Sequence, residues 1–548
     1  ELTGKDESEI AKELAGHIYK NPVTGRYETA DEYLSGNVKA KLKEAEAYAV
    51  NEPEYQVNVE ALKKVLPPDK EAWQVSLKLG SSLIDEEIYE AFAKHLFGGD
   101  IEIRQIRHTG VWTVAEKESK WGKRYSIKNS TANTVTWGLN RRGFTGLDLL
   151  EKIMNNSSII VNELVIGEGG RKIKVNNAEA TALAQERAEK IKEEFNKWLS
   201  DHDNGRTLSS IVQKYNDVYN TDVLREFDGS HLPDTLEGMN PDIKLTKHQK
   251  DAVWRIISSR GCTLLAHEVG AGKTFIMIAS AMEMKRLGII KKPMFVVPNN
   301  VYEQWGIEFR RLYPDARTLL PTKEELEKKN RRVFMNRIAT GSYDAIIIPE
   351  SQFGMLPMSV ESVKEFYNER IHEMELAIEM ERAENGRGTL TEKKITRALK
   401  NLRTKMERKV SEMAKDKDNV DFEELGIDYL FVDEAHRFKN LMYTTRLQIS
   451  GLNNPEGSNK AFDLLMKTRY LQKLHNGRGV VFATATPLLN SIAEIYNWQQ
   501  YLNPEQLHSR GVYSFDSWAS IFAKMENIAE VNPEGTGYRI KMGISKIT

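Results

Sequence analysis

The chain has 548 residues, more than one hydrophobic core can use, so about three or four domains are expected. Its 78 lysines and arginines nearly balance 79 aspartates and glutamates, so no global positive charge advertises a polyanion partner, and any nucleic-acid surface must be local. The single cysteine, Cys262, excludes an internal disulfide and a cysteine-rich metal site, and no long apolar run or signal-peptide core is present; a soluble protein of a reducing cytoplasm, without a membrane partner, is expected.

Residues 1–100 read as a helical amino-terminal region. Glu1 to Lys70 is polar and helical in pattern, broken at Asn21-Pro22 and Pro67-Pro68, and an apolar helix-leaning stretch from Glu71 to Phe97 runs into Gly98-Gly99. Residues 101–240 read as an α+β accessory domain. Between Ile101 and Trp137, apolar and aromatic residues (Ile101, Ile103, Val111, Trp112, Trp121, Tyr125, Ile127, Val135, Trp137) alternate with Arg104, Arg107, Lys117, Lys120, Lys123, Arg124 and Lys128, which predicts a small antiparallel sheet. Aromatics set among bases can stack and grip a nucleic-acid strand. An ordinary core with a solvated basic face is the plainer alternative. Gly167-Glu168-Gly169-Gly170 lies between two alternating runs and no helix start follows, so it reads as a hairpin turn rather than a phosphate loop. Asn177 is placed to cap a long charged helix from Ala178 to Ser200.

Residues 241–510 carry the chemistry. An apolar helix from Asp251 to Ile257 leads to the run Cys262 to Ala266, then His267-Glu268-Val269-Gly270-Ala271-Gly272-Lys273-Thr274, then an amphipathic stretch from Phe275 to Arg286. Strand, glycine loop, lysine, hydroxyl and helix in that order wrap a nucleotide's phosphates. Gly270 and Gly272, with Ala271 between them, let the backbone turn its N–H groups and the helix's positive end toward the phosphates. Lys273 would neutralise them, and Thr274 would hold Mg²⁺. His267 stands where the first glycine of the usual pattern would be. The methionines Met277, Met282 and Met284 behind this loop read as core filling.

A second pattern follows in Tyr429-Leu430-Phe431-Val432-Asp433-Glu434, a buried strand ending in two carboxylates. Phosphoryl transfer to water needs one carboxylate on the metal and another to orient and deprotonate the water. Asp433 suits the first role, again with Thr274 on the metal, and Glu434 the second. ATP and Mg²⁺ are therefore the expected cofactors. Further strand candidates at Met294 to Val297, Ala345 to Ile348 and Val480 to Ala483 alternate with helical sequence, which predicts an α/β fold: a parallel sheet with helices on both faces and its ligand at the strands' carboxyl ends. The span 357–425 interrupts this pattern with two charged helical stretches, Val360 to Ala383 and Thr391 to Ala414, joined around Glu384 to Gly388. A helical hairpin standing off the sheet as a solvated arm is expected.

In their order and spacing these motifs resemble superfamily two helicases, most closely the Swi/Snf-type double-stranded DNA translocases. Asp433-Glu434-Ala435-His436-Arg437-Phe438-Lys439-Asn440 is similar to that group's DEAH box, and Phe482-Ala483-Thr484-Ala485-Thr486-Pro487-Leu488-Leu489-Asn490 to its third motif. The resemblance implies a RecA-like P-loop NTPase lobe in which Gln249 reads adenine and His436, Thr484 and Thr486 couple the nucleotide to DNA. It also implies that Gln304 and Trp305 in one motif, and Ser351 and Gln352 in another, touch the DNA backbone. The run Leu265 to Thr274 resembles more closely still the large methylase-helicase proteins of phages and conjugative elements. No Asn-Pro-Pro-Tyr or Asp-Pro-Pro-Tyr tetrapeptide occurs, so no methylation is assigned, although a methyltransferase domain could precede the lobe elsewhere in a longer chain.

Family members hydrolyse ATP between two lobes, the second supplying an arginine. The residues after Thr486 hold no readable second array, and 511–548 read as the start of an inter-lobe connection. The expectation is one lobe of a longer polypeptide, binding nucleotide with little turnover until its partner lobe is restored. Two alternatives remain: a nucleotide-switched scaffold, against which intact Lys273, Asp433 and Glu434 argue, and the motor subunit of a restriction enzyme. His17, His95, His108 and His202 have no partners at metal-ligand spacing and read as surface or packing residues.

Overall fold

The computed structural model describes residues 6–547 apart from 76, 107–110, 118–126, 141–142, 158, 167–171, 326, 328, 386–389, 415–419, 444–456, 490, 511, 513–514 and 532–537. It divides into two compact units, one formed by residues 1–104 and 112–227 and the other by residues 228–548 with 105–111.

In the second unit the five expected apolar runs become strands, joined by a two-residue edge strand that the sequence did not signal: β1 (Thr263–Leu265), β2 (Pro293–Val297), β3 (Thr318–Leu319, the unexpected one), β4 (Ala345–Pro349), β5 (Tyr429–Val432) and β6 (Val480–Ala483). They form one sheet in the order β3-β4-β2-β5-β6-β1, every pair parallel. Consecutive residues of β2, β4, β5 and β6 are buried, because helices cover both faces and leave no solvated side for polar alternation. One face is closed by Lys247–Ser258, Lys273–Arg286 and Tyr302–Leu312, through Val253, Met277 and Phe309 among others. The other is closed by Arg331–Thr340 and Asn459–Leu474, through Met335 and Leu464. This is the RecA-like α/β lobe that the motif order implies. All six strands point one way, so the loops after β1, β2, β4, β5 and β6 emerge along a single carboxyl edge.

The insertion forms two long helices, Val360–Asn385 and Leu390–Ala414. The arm is less free than its mixed charges suggest. Val363, Phe366, Tyr367 and Ile371 are buried in the main core, and the Phe366 ring lies 5.3 Å from that of Phe462 on the helix Asn459–Leu474. Most of the expected link between the two helices, Gly386 to Gly388, lies outside the described residues.

The first unit is helical with small β-ribbons. Its main core gathers Tyr89, Phe92, Trp112, Leu150, Phe195 and Trp198, so the expected boundary near residue 100 falls inside one core, and a separation of 1–100 from 101–240 is not what the chain adopts. The other boundary lies at 227 rather than 240, because Leu236, Met239 and Leu245 pack with the helix Lys247–Ser258. Asn177 caps the helix Ala178–Asp201 as expected, its side chain accepting from the N–H of Ala180.

The expected sheet from Ile101 to Trp137 is only half formed. Ile101–Ile106 pairs with Val111–Glu116, but Ile127–Asn129 and Ala132–Thr136 are helical turns. The side chain of Ser130 accepts from the N–H of Asn133, whose own fully buried side chain accepts from Leu147, so short polar groups draw this backbone away from a ladder. Trp112 is buried and donates to the Gly80 carbonyl at 2.8 Å, while Arg104 and Lys117 pair with Glu90. These residues serve the fold's own contacts rather than a stacking platform. Arg107, Lys120, Trp121, Lys123, Arg124 and Tyr125, and the turn Gly167 to Gly170, lie outside the described residues.

Candidate functional site

The loop between β1 and the helix Lys273–Arg286 turns on two left-handed glycines, Gly270 at φ +86° and Gly272 at φ +77°. Both conformations are strained for any residue with a Cβ. At Gly272 a Cβ would also lie 2.1 Å from Gln249 Nε2, so any other residue adds displacement of that amide to the backbone strain. The Lys273 ammonium folds back to donate to the carbonyls of His267 at 3.0 Å and Glu268 at 2.9 Å, which fixes a positive charge within the loop's curve. Thr274 follows in the first helical turn and is partly exposed.

Gln249 sits beneath this loop. Its Oε1 accepts from the Thr246 N–H in a capping box at 2.9 Å, and its Nε2 donates to the Ala271 carbonyl at 3.4 Å. His248 Nε2 reaches the same carbonyl at 3.0 Å. Gln249 is thus buried and engaged at both ends, and in this arrangement it braces the loop instead of presenting a free amide to a base. His267 Nδ1 is enclosed and has no hydrogen-bond partner among the described residues. Burial pushes its imidazole below the usual range, and the charges of His248 and Lys273 push the same way.

At the end of β5, burial raises the Asp433 carboxyl above its usual range. The N–H of Glu434 (2.9 Å, to Oδ1) and the indole N–H of Trp305 (3.1 Å, to Oδ2) hold it down, Glu434's charge raises it, and Lys273's charge lowers it. The influence of Lys273 on Asp433 brings the two sequence motifs into one electrostatic site. Glu434 adopts φ +46°, unusual for a residue with a Cβ, as the chain turns sharply out of the sheet. Its carboxylate lies 3.0 Å from His436 Nδ1, which lies 3.1 Å from Thr484 Oγ1, and that hydroxyl accepts from the Thr486 N–H at 3.1 Å. Glu434, His436, Thr484 and Thr486 are therefore in unbroken contact across the ends of β5 and β6.

Among the described residues no group of three or more His, Cys, Asp or Glu side chains is set to hold a metal. One carboxylate and one hydroxyl suit a magnesium ion that keeps waters and takes its other oxygens from phosphates. Open glycine amides, a fixed ammonium and the enclosed, unpartnered nitrogen of His267 suit the phosphates themselves. The residues present fit both groups.

The residues expected at DNA divide. Gln304 and Ser351 are exposed and Gln352 partly so, at the starts of the helices after β2 and β4, and the Ser351 N–H donates to Asn299 at 3.2 Å across the two loops. Trp305 is different: it is 3% exposed, with its only polar atom on Asp433, so it is closed to a nucleic acid and belongs to the carboxylate site. Sequence reasoning missed this bond and also missed an ion pair between Lys439 and Glu494 at 2.9 Å, with side chains 5% and 0% exposed. Glu494 also accepts from the Leu489 N–H at 2.8 Å, tying the segment after β5 to the loop after β6. Only position could have signalled Trp305, in the first turn of a helix leaving a strand's carboxyl end. Nothing in the spacing pointed to Glu494.

Comparison with known proteins adds to this geometry. Residues 1–28 match a family model for the winged helix domain of probable helicases, and 78–221 match a domain of unknown function. The chain is 24% identical over 443 residues to Defense against restriction protein B of Escherichia phage P1, a match covering 72% of this chain and 18% of that protein. The chain therefore spans under a fifth of that relative's length. Among solved structures, the Sulfolobus solfataricus SWI2/SNF2 ATPase core in complex with dsDNA is similar at 14% identity over 51% of this chain and 40% of that one, with a TM-score of 0.27. Residues 254–532, just over half of the chain, match the model of the probable helicase domain, and the chain belongs to that helicase family.

Proposed function

We propose that residues 241–510 are the first ATP-binding lobe of a DNA-dependent ATPase that moves on duplex DNA in company with a second RecA-like lobe. The observation that carries this reading is the convergence at one sheet edge of the glycine loop, Lys273 and the pair Asp433–Glu434, with the Lys273 charge near enough to favour the ionised Asp433 carboxyl.

In this reading the loop amides and Lys273 grip the β- and γ-phosphates, and Thr274 and Asp433 hold magnesium. A bound magnesium ion supplies charge neutralisation on the phosphates being separated. Glu434 orients the attacking water and accepts its proton. His436 Nδ1 faces both the Glu434 carboxylate and the Thr484 hydroxyl, so a change at the γ-phosphate that moves Glu434 is felt in the loop after β6. Gln304, Ser351 and Gln352 stand on that edge for contacts to the DNA backbone, which a motor indifferent to sequence requires. The similarity to a phage protein named for defence against restriction supports a task in mobile-element biology or antirestriction.

The test is ATP turnover by the chain joined to its second lobe, with and without duplex DNA of random sequence. Stimulation by DNA, abolished by Glu434→Gln while ATP binding persists, is expected. ATP binding with turnover indifferent to DNA would favour a nucleotide-switched scaffold instead.

A further inference from the structure

Trp305 lies where the motif resemblance expects a DNA contact, yet its geometry gives it another task. An indole N–H can only donate, and a buried one needs an acceptor. The acceptor here is Asp433 Oδ2 at 3.1 Å, while Oδ1 takes the Glu434 N–H at 2.9 Å. Each carboxylate oxygen thus receives one N–H, an arrangement that favours the ionised form against its burial and fixes the plane of the group. The indole is itself buried and packed. Its ring lies 5.6 Å from that of Phe295 on β2, which stacks at 4.8 Å on Phe431 of β5, two residues before Asp433. The donor and the strand bearing its acceptor are clamped by the same aromatic stack.

We propose that Trp305 is a positioning residue for the metal site, its N–H holding Asp433 in the orientation that binds the nucleotide's cation. This rests on the reading of Asp433 as the metal carboxylate. Partners that orient a metal ligand are typically worth about 10- to 100-fold in metal affinity.

Trp305→Phe keeps an aromatic ring and removes the donor. The experiment uses the 548-residue chain, ADP, and Mn²⁺ followed by electron paramagnetic resonance. Metal-free ADP affinity is expected to be unchanged in the variant, and Mn²⁺ affinity of its ADP complex to fall about 10- to 100-fold. Mn²⁺ affinity within twofold of the unaltered chain overturns the proposal and leaves the nucleotide site standing. An unaltered chain that binds no Mn²⁺ with ADP overturns both. A second measurement needs no variant. With 5-fluorotryptophan in all nine positions, substoichiometric Mn²⁺ added with ADP is expected to broaden one ¹⁹F resonance ahead of the other eight, and uniform or absent broadening overturns the proposal.

Discussion

Glu494→Ala is the substitution on which the buried electrostatics can be judged. Glu494 is fully buried, and its two oxygens do different work: Oε1 lies 2.9 Å from the Lys439 ammonium, itself 5% exposed, and Oε2 accepts from the Leu489 N–H at 2.8 Å. The Lys439 contact lies outside hydrogen-bond alignment, so it is a buried ionic contact. Exposed pairs such as Lys190–Glu186 are worth about 0.2–1 kcal/mol. Breaking a buried pair by removing one partner costs about 3–5 kcal/mol, because the other charge stays behind unsolvated. Alanine also leaves a cavity and strips the Leu489 N–H of its acceptor, so the upper half of that range is expected. The assay is urea denaturation followed by fluorescence of the lobe's tryptophans, with Lys439→Met/Glu494→Leu as the companion. If desolvated charge is the cause, the double variant recovers most of the loss. A Glu494→Ala loss below about 1 kcal/mol, or a double variant no better than the single, would refute the reasoning.

Gly272→Ala should cost about 1–3 kcal/mol of stability and weaken nucleotide binding, because it combines φ +77° with a clash on the Gln249 amide. Gly288→Ala, at φ +71° in open space, carries the backbone strain alone; equal losses for the two in thermal melting would remove Gln249 from the account. Cys262 reports on pH. Burial pushes its thiol from 9.0 up to about 11, with its sulfur between the Gln472 amide and the Gly477 carbonyl. Below pH 9 the folded chain should therefore react with iodoacetamide more slowly than the unfolded chain, and because the folded pKa is the raised one, this thiol's contribution to stability is lost as pH climbs from about 9 to about 11. Alkylation at pH 8 as fast in the folded chain as in urea would contradict this.

The sheet was legible because β2, β4, β5 and β6 are buried on both faces and read as unbroken apolar runs, and because phosphate chemistry demands glycines, a lysine and paired acids at strand ends. The resemblance grouped His436, Thr484 and Thr486, and the contacts of His436 with Thr484 and of Thr484 with Thr486 bring those three together. Other features were not legible, the buried Lys439–Glu494 pair among them. Gln249 was expected at a base; Thr246-Lys247-His248-Gln249 carries the local capping-box pattern that occupies its Oε1, but nothing local says that the Ala271 carbonyl would take its Nε2. Trp305 was expected at DNA, and its partner Asp433 is 128 residues away, a distance only the β2–β5 pairing closes. In the first unit, the hydrogen bonds of Ser130 and Asn133 bend into helical turns a stretch whose alternation reads as strand.

The central claim is that a nucleoside triphosphate and its cation bind between the Gly270–Thr274 loop and the acids after β5. A fluorescent ATP analogue titrated with magnesium into the purified chain tests it most directly, beside Lys273→Ala. Saturable binding is predicted, weakened about 10- to 100-fold by the substitution, since a charge-assisted contact is worth about 1.5–3 kcal/mol. Equal binding by the two proteins, or none by the unaltered chain, would contradict the account.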